Sequence, residues 1–205
     1  MAQYKDYGYH NTQPDHTQHY IWQPIISLIE PTSVILDLGC GNGAFANQLI
    51  SKGFNAFGTD ASEKGIFQAN SVNPGKFFLQ DLSSDDLPIE LTEINFKTIV
   101  STEVIEHLYD PRTFIGFAKK ILVKNGGGEM ILSTPYHGYL KNLVIAIMGK
   151  WDSHANPLWD GGHIKLWSKK TLTALLQEQG FNVTHFIGCG RFPYLWKSMV
   201  IRATI

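Results

Sequence analysis

Cysteine is nearly absent from this chain. Cys40 and Cys189 are the only two in 205 residues, too few and too far apart for a disulfide framework or a zinc-finger module. Long apolar runs are missing as well, none approaching the roughly 20 residues that span a bilayer. No charge of one sign prevails: 17 Lys and Arg stand against 18 Asp and Glu, a net charge of −1. That balance excludes a histone-like or generally nucleic-acid-coating protein. The opening stretch MAQYKDYGYHNTQPDH is polar and aromatic, unlike the apolar core of a secretory signal. Hydrophobic residues nevertheless reach 43%, so the chain is globular and long enough to bury a core without staples. These features predict a soluble protein of a reducing compartment, most simply the cytoplasm.

The overall neutrality hides an asymmetry. Residues 1–110 carry five Lys and Arg against fourteen Asp and Glu, whereas residues 111–205 carry twelve against four. Solvated helix faces account for this in the plain reading. In the sharper one, the C-terminal half meets something anionic, such as a lipid surface or an acidic substrate.

The pattern along the chain predicts a mobile arm over the first twenty residues and a short helix over 22–29. Strands follow at 33–38, 55–60, 77–79, 98–101 and 130–134, with helices at 44–52, 62–71 and 111–123 between them. A last helix over 168–179 leads to two closing strands, 181–187 and 196–203. Ser62, Asp110 and Ser168 are placed to cap helices, and Pro111 to open one. Strands alternating with helices imply a mostly parallel sheet with helices on both faces. No helix separates the last two strands, so they form an antiparallel hairpin. The fold class is α/β, with residues 1–30 as an arm and helix, and 31–205 as one domain.

The strongest motif is DLGCGNG, from Asp37 to Gly43, between the first strand and the first helix of that domain. Gly39 and Gly41 permit a tight turn and a close approach of the backbone to a ligand. Asp60 ends the next strand about twenty residues on, where an acid accepts both hydrogen bonds of a ribose diol. Gly39, Gly41 and Ala44 also satisfy a relaxed dinucleotide fingerprint. Against a nicotinamide enzyme stands Asp37, two residues before the first glycine, where dinucleotide-binding strands are apolar. A ligand at this loop must offer a cation or donor to that carboxylate. Asp81, in LQDL after the third strand, is placed to meet an adenine amino group. The plainer reading of Asp37 and Asp81 is that they are turn caps.

Taken together, VILDLGCGNG, GTDAS, LQDL and IVSTEVIEH resemble the class I S-adenosylmethionine-dependent methyltransferases. The resemblance covers about residues 33–135. It implies a Rossmann-like, seven-stranded, mostly parallel sheet with a reversed C-terminal strand, and S-adenosylmethionine as cofactor. By position, Asp37, Gly39, Cys40, Gly41, Asn42 and Gly43 would hold the methionine part and Asp60 the ribose. Ala61 would flank the adenine, Asp81 with Leu82 would hold its edge, and Ser101 with Thr102 would close the site. Tyr4, Tyr7, Tyr9 and Tyr20 would then fold over the cofactor as a lid.

Within that superfamily, TEVIEH, STPYHGYLKNLVIAIMGKW, a Gly-His pair and WSKKTLTALLQEQGF resemble the ubiquinone-biosynthesis O-methyltransferase group. This implies a small or lipid-like hydroxyl acceptor and an inserted amphipathic segment at about 136–165. Over 136–151, Leu140, Leu143, Val144 and Ile147 follow helical spacing, with Lys141 and Lys150 at the flanks. Such a helix contacts a membrane surface, walls an apolar acceptor pocket, or lies on the domain as an ordinary helix. An RNA-end 2′-O-methyltransferase and a non-catalytic cofactor-binding scaffold are the alternative functions, nucleic acid being disfavoured by the charge balance.

In STEVIEH, a helical turn would put Glu103, Glu106 and His107 on one face, at the carboxyl ends of the strands. Two carboxylates and an imidazole suit Mg²⁺, Mn²⁺ or Zn²⁺, which would lower the pKa of an acceptor hydroxyl. Both resembled families use this set as ligands, and the RNA-end family adds a histidine that His163 would match. The competing reading has the glutamates as caps and His107 as a general base or substrate contact. The expected catalytic residues are therefore His107, Glu103 and His163, and the expected metal ligands Glu103, Glu106, His107 and His163.

Overall fold

Strand β1 (Val34–Leu38) pairs in parallel with β2 (Asn55–Asp60) on one side and β4 (Thr98–Thr102) on the other. Strand β3 (Phe77–Leu79) adds to β2, and β5 (Glu129–Pro135) to β4, again in parallel. The last strands, β6 (Asn182–Cys189) and β7 (Ser198–Thr204), pair antiparallel with each other, and β7 with β5. The sheet order is β3-β2-β1-β4-β5-β7-β6, the seven-stranded sheet with a reversed last strand that the resemblance implies. The computed structural model describes residues 8–14, 16–82, 86–155, 157–158 and 161–205.

Successive strand residues point to opposite faces, so two cores form. Ile35, Val100, Ile131 and Val200 face helices α1 (Gln18–Ile26) and α2 (Ala44–Ser51), meeting Ile21, Ile25, Phe45 and Leu49. Leu36, Ile99, Met130 and Ile201 face the other way. They meet α4 (Pro111–Lys124) and α7 (Lys169–Glu178) through Phe114, Leu122, Leu172 and Leu176. Helix α3 (Glu63–Val72) packs Ala69 on Phe77 beside β2 and β3. The caps are as the sequence predicts. Ser62 accepts from Gly65 N–H, Asp110 from the N–H groups of Arg112 and Thr113, and Ser168 forms a reciprocal box with Thr171.

Two segments differ from expectation. Helix α1 begins at Gln18, inside the stretch expected to be a mobile arm, and carries Pro24 internally. Burying Ile21 and Ile25 completely outweighs the hydrogen bond that Pro24 cannot donate. The helix expected over 136–151 is two, α5 (Tyr139–Ile147) and α6 (Trp151–Ala155). Tyr136 still belongs to the sheet side, its N–H donating to Lys197 O. Gly149, at φ +62°, stops α5: its N–H donates to Ala146 O, and that of Lys150 to Ile145 O. This is a Schellman stop, signalled by the glycine in MGKW.

The chain winds outward from β1 to β3 and then restarts at β4. The carboxyl ends of β1 and β4 therefore border the crevice where open α/β sheets bind ligands.

Candidate active site

Asp37 to Gly43 leave the end of β1 and turn into α2. Gly41 adopts φ +57°, and a Cβ there would lie 2.6 Å from the Tyr9 hydroxyl, so the arm rests directly on the loop. Asn42 holds the arm in place, its amide donating to Asn11 O and Gln13 O at 2.9 Å each. Tyr4 and Tyr7, expected in the same lid, lie outside the described residues. Tyr20 sits on α1, its hydroxyl 3.5 Å from Ser198 Oγ.

Five of the loop's N–H donors, at Gly39, Cys40, Gly41, Gly43 and Ala44, are engaged within the protein. Gly39 and Cys40 N–H both donate to Thr59 O, and Gly41 N–H donates to Asp60 Oδ2 at 2.8 Å. Gly43 N–H donates to Cys40 O, and Ala44 N–H to Asn42 Oδ1. The N–H groups of Gly39, Gly41 and Gly43 are thus engaged before any ligand arrives. The loop offers a close-approach surface, not an anion cradle.

What the loop does leave unmatched is an acceptor. Asp37 is fully buried, and neither carboxylate oxygen has a hydrogen-bond partner among the described residues. Burial, with Asp60 nearby as a second negative group, pushes its carboxyl up to about 8. Such a group asks for a cation or a donor, and the α-amino group of S-adenosylmethionine is one. A pyrophosphate would meet an acid and amides already in use. The residues present therefore fit S-adenosylmethionine and do not fit a dinucleotide.

The other predicted cofactor residues are distributed around this point. Asp60 is buried, accepting also from Ser62 N–H at 2.8 Å. Ala61 and Leu82 are half-buried and Asp81 is exposed, past the end of β3. Cys40 is buried, which raises its thiol pKa well above the ordinary value. Thr102 is half-buried at the end of β4. The Ser101 hydroxyl donates to Leu38 O at 2.7 Å and clips the end of β4 to β1.

Beyond β4 the expected α-helical turn is a short 3-10 turn, Ile105–His107, entered through Glu103 at φ +55°. This conformation separates the residues expected together. Glu106, His107 and His163 converge, with ligand atoms all within 4.8 Å of one another. Glu106 is 1% exposed, accepts from the Thr134 hydroxyl on Oε2, and has Oε1 without a hydrogen-bond partner among the described residues, 3.8 Å from His107 Nε2. Burial first, and then the neighbouring Glu103, raises its carboxyl well above the usual range. The His107 ring contacts Gly162 O through Nδ1 at 3.3 Å and lies 5.0 Å, centroid to centroid, from His163. Desolvation lowers both imidazole pKa values, favouring the neutral, ligand-competent form. Residues 162–167 are held there by Ile164 and Lys165 N–H donating to Glu106 O, and by the Trp167 indole N–H donating to Ile105 O. One carboxylate and two imidazoles, one oxygen unpaired, fit a divalent transition ion.

Glu103 is not part of that group. The Ser133 and Ser198 hydroxyls donate to its two oxygens at 2.9 and 3.4 Å, and desolvation pushes its carboxyl up to about 7. Lys141, expected as an exposed flank of an amphipathic helix, is instead 6% exposed, its ammonium donating to Tyr136 O and Lys197 O. Desolvation lowers it to about 8. Sequence reasoning also missed His137 and His154, whose rings pack 5.3 Å apart. TPYHG and WDSHA were the available signals, each a histidine beside an element boundary.

A family model described as a methyltransferase domain matches residues 15–186, and the chain belongs to that family. Its fold is that of the class I S-adenosylmethionine-dependent methyltransferases. The ubiquinone biosynthesis O-methyltransferase of Ruegeria sp. (strain TM1040) is 27% identical over 170 residues, covering 80% of this chain and 66% of that protein. The human mitochondrial ubiquinone biosynthesis O-methyltransferase is 26% identical over 165 residues, covering 78% of this chain but only 44% of its own length. The chain thus spans less than two thirds of these relatives. Among solved structures, the magnesium protoporphyrin IX methyltransferase of Synechocystis PCC 6803, with bound S-adenosylhomocysteine, superposes with a TM-score of 0.63. It is 19% identical and covers 94% of this chain and 88% of that one. A methyltransferase from Mesorhizobium loti gives 0.67 at 19% identity, over 90% and 97% of the two chains.

Proposed function

We propose that the protein is an S-adenosylmethionine-dependent O-methyltransferase acting on the hydroxyl of a small or lipid-like acceptor. The observation that carries this reading is Asp37, a buried carboxylate without a hydrogen-bond partner among the described residues, beneath a loop whose glycine N–H groups are already engaged. Asp37 would bind the amino group of the cofactor's methionine part and Asp60 its ribose, with Ala61, Asp81 and Leu82 around the adenine. When bound, the cofactor supplies a methyl carbon whose bond to sulfur breaks, both electrons passing to sulfur, as the acceptor oxygen's lone pair forms the new C–O bond. The protein's work is to orient that oxygen, exclude water and take its proton. The Tyr9 arm, seated on Gly41, supports a covering role for residues 8–30.

Glu106, His107 and His163 form the acceptor end of the site. They would hold a divalent ion, which lowers the pKa of a neighbouring hydroxyl. His107 would otherwise serve as the base itself. The half-exposed apolar face of α5 is proposed as a peripheral membrane contact; among the described residues, no helix is long and apolar enough to cross a bilayer.

Transfer of labelled methyl from S-adenosylmethionine to a panel of hydroxyl acceptors tests the function. Chelation followed by re-addition of Mg²⁺, Mn²⁺ or Zn²⁺ tests the metal. The expected result is loss on chelation, recovery with one ion, and at least a tenfold loss in Glu106→Ala. Full activity of both the chelated enzyme and Glu106→Ala would remove the metal and this role for the group.

A further inference from the structure

The cofactor loop and the turn that carries Glu106 and His107 touch at Val104. Gly39 adopts φ +79°, and a Cβ there would lie 2.6 Å from Val104 Cγ2 and 3.1 Å from Cγ1. Val104 thus rests on the first glycine of DLGCGNG, where a missing side chain opens the loop to close approach. Its backbone closes the following turn: Val104 O accepts from His107 N–H at 2.9 Å, ahead of the 3-10 turn Ile105–His107. That turn anchors the chain beyond His163, since Ile164 and Lys165 N–H both donate to Glu106 O. The residue that aims Val104 at Gly39 is Glu103, at φ +55°, a conformation glutamate rarely adopts. Such an outlier persists where its surroundings enforce it, and outliers of this kind gather at functional sites. Here the Ser133 and Ser198 hydroxyls hold the Glu103 carboxylate, and its N–H donates to Ser133 O at 3.1 Å.

We propose that Val104 is a positioning residue that couples the two ends of the site. Cofactor seated on the loop fixes Val104 against Gly39, and Val104 in turn orders the Glu106–His107 turn. Binding is then sequential, cofactor before acceptor, because the acceptor end is fully assembled only beside an occupied loop. A valine suits this role. Its branched side chain has little rotamer freedom, so a push at Gly39 passes to the backbone and is not absorbed by side-chain rotation. The path is a single side chain in contact with the loop, and linkage makes its effect on the two ligands reciprocal. This rests on the methyltransferase reading, but it goes beyond it by giving a side chain without polar chemistry control over the order of binding.

Amide hydrogen exchange, read residue by residue by NMR on the full-length protein, tests this without turnover. S-adenosylhomocysteine should slow exchange of the His107, Ile164 and Lys165 N–H groups by about tenfold, the usual scale of coupling between two sites. Val104→Ala removes both methyl groups that reach Gly39. In this variant the ligand should still slow the Gly39 and Cys40 N–H groups, which donate to Thr59 O, but no longer the other three. Val104→Thr, branched at the same carbon and of nearly the same shape, should restore the effect. A valine that only filled space would, when cut to alanine, speed the three amides equally with and without ligand, leaving the ratio as in the wild type. An unchanged ratio in Val104→Ala therefore overturns the proposal. So does a wild type in which the ligand slows the loop amides and leaves His107, Ile164 and Lys165 unaffected. Absence of any response at the loop amides of the wild type would instead fail the methyltransferase reading.

Discussion

Asp37 carries the clearest consequence at the scale of single residues. Its carboxyl is raised from the ordinary 3.8 to about 8, so between these values the folded protein binds a proton that the unfolded chain has released. Stability contributed by this group is complete below pH 4 and is lost as pH rises through 8. Asp37→Asn should therefore melt higher than wild type at pH 8 and alike at pH 4, by about 2–4 °C for each kcal/mol relieved. The same variant should bind S-adenosylhomocysteine ten- to a hundredfold more weakly, the value of about 1.5–3 kcal/mol for a charged hydrogen bond. Melting curves at the two pH values check the sign, and an unchanged difference would refute it. Gly41→Val should abolish cofactor binding, since its Cβ would meet Tyr9 at 2.6 Å in a backbone conformation that valine resists. Calorimetry of the folded variant reads this. DLGCGNG was legible as a ligand loop because its glycines and acid sit at fixed offsets from the strand. That its N–H groups turn to Thr59 and Asp60 was not legible, because it depends on how β2 sits beside β1.

Elements were legible where period and punctuation agreed. The caps at Ser62, Asp110 and Ser168, and the short apolar runs alternating with helical stretches, placed most of the fold. Local pattern failed where tertiary contacts decide. Two isoleucines drew the start of α1 into the expected arm, and the Schellman stop at Gly149 divided the insertion. Glu103 left its expected partners because its positive φ turns its carboxyl to Ser133 and Ser198 on β5 and β7. No sequence period encodes that turn. Helix α5 presents Leu140, Leu143 and Ile147 to solvent, but without the Lys141 flank, which is buried. Co-sedimentation with anionic liposomes should retain the wild type and lose Leu143→Glu by several-fold. Equal behaviour of the two, or no retention, would remove membrane contact and leave α5 as an outer wall of the site.

Across the whole molecule, the charge asymmetry has a partly structural explanation. Arg202 pairs with Glu129 at 2.5 Å, Arg112 with Glu178 at 2.7 Å, and Lys141 caps two carbonyls. The C-terminal cations thus partly brace strands and helices, and fewer remain to meet an anionic partner than the counts suggest. The proposed cofactor and acceptor sites lie at the carboxyl ends of neighbouring strands, one at the β1 loop with Asp37 and the other at the β4 turn with its carboxylate and imidazoles. The central claim is that the first of these takes S-adenosylmethionine through Asp37. The most direct test is calorimetric titration of S-adenosylhomocysteine, against NAD, at pH 7 in two buffers of different ionisation enthalpy. The account predicts binding at a single site, no NAD binding, and release of about one proton as Asp37 ionises against the ligand's ammonium. The proton release should vanish in Asp37→Asn. Tighter binding of NAD, or S-adenosylhomocysteine binding with neither proton release nor dependence on Asp37, would contradict it.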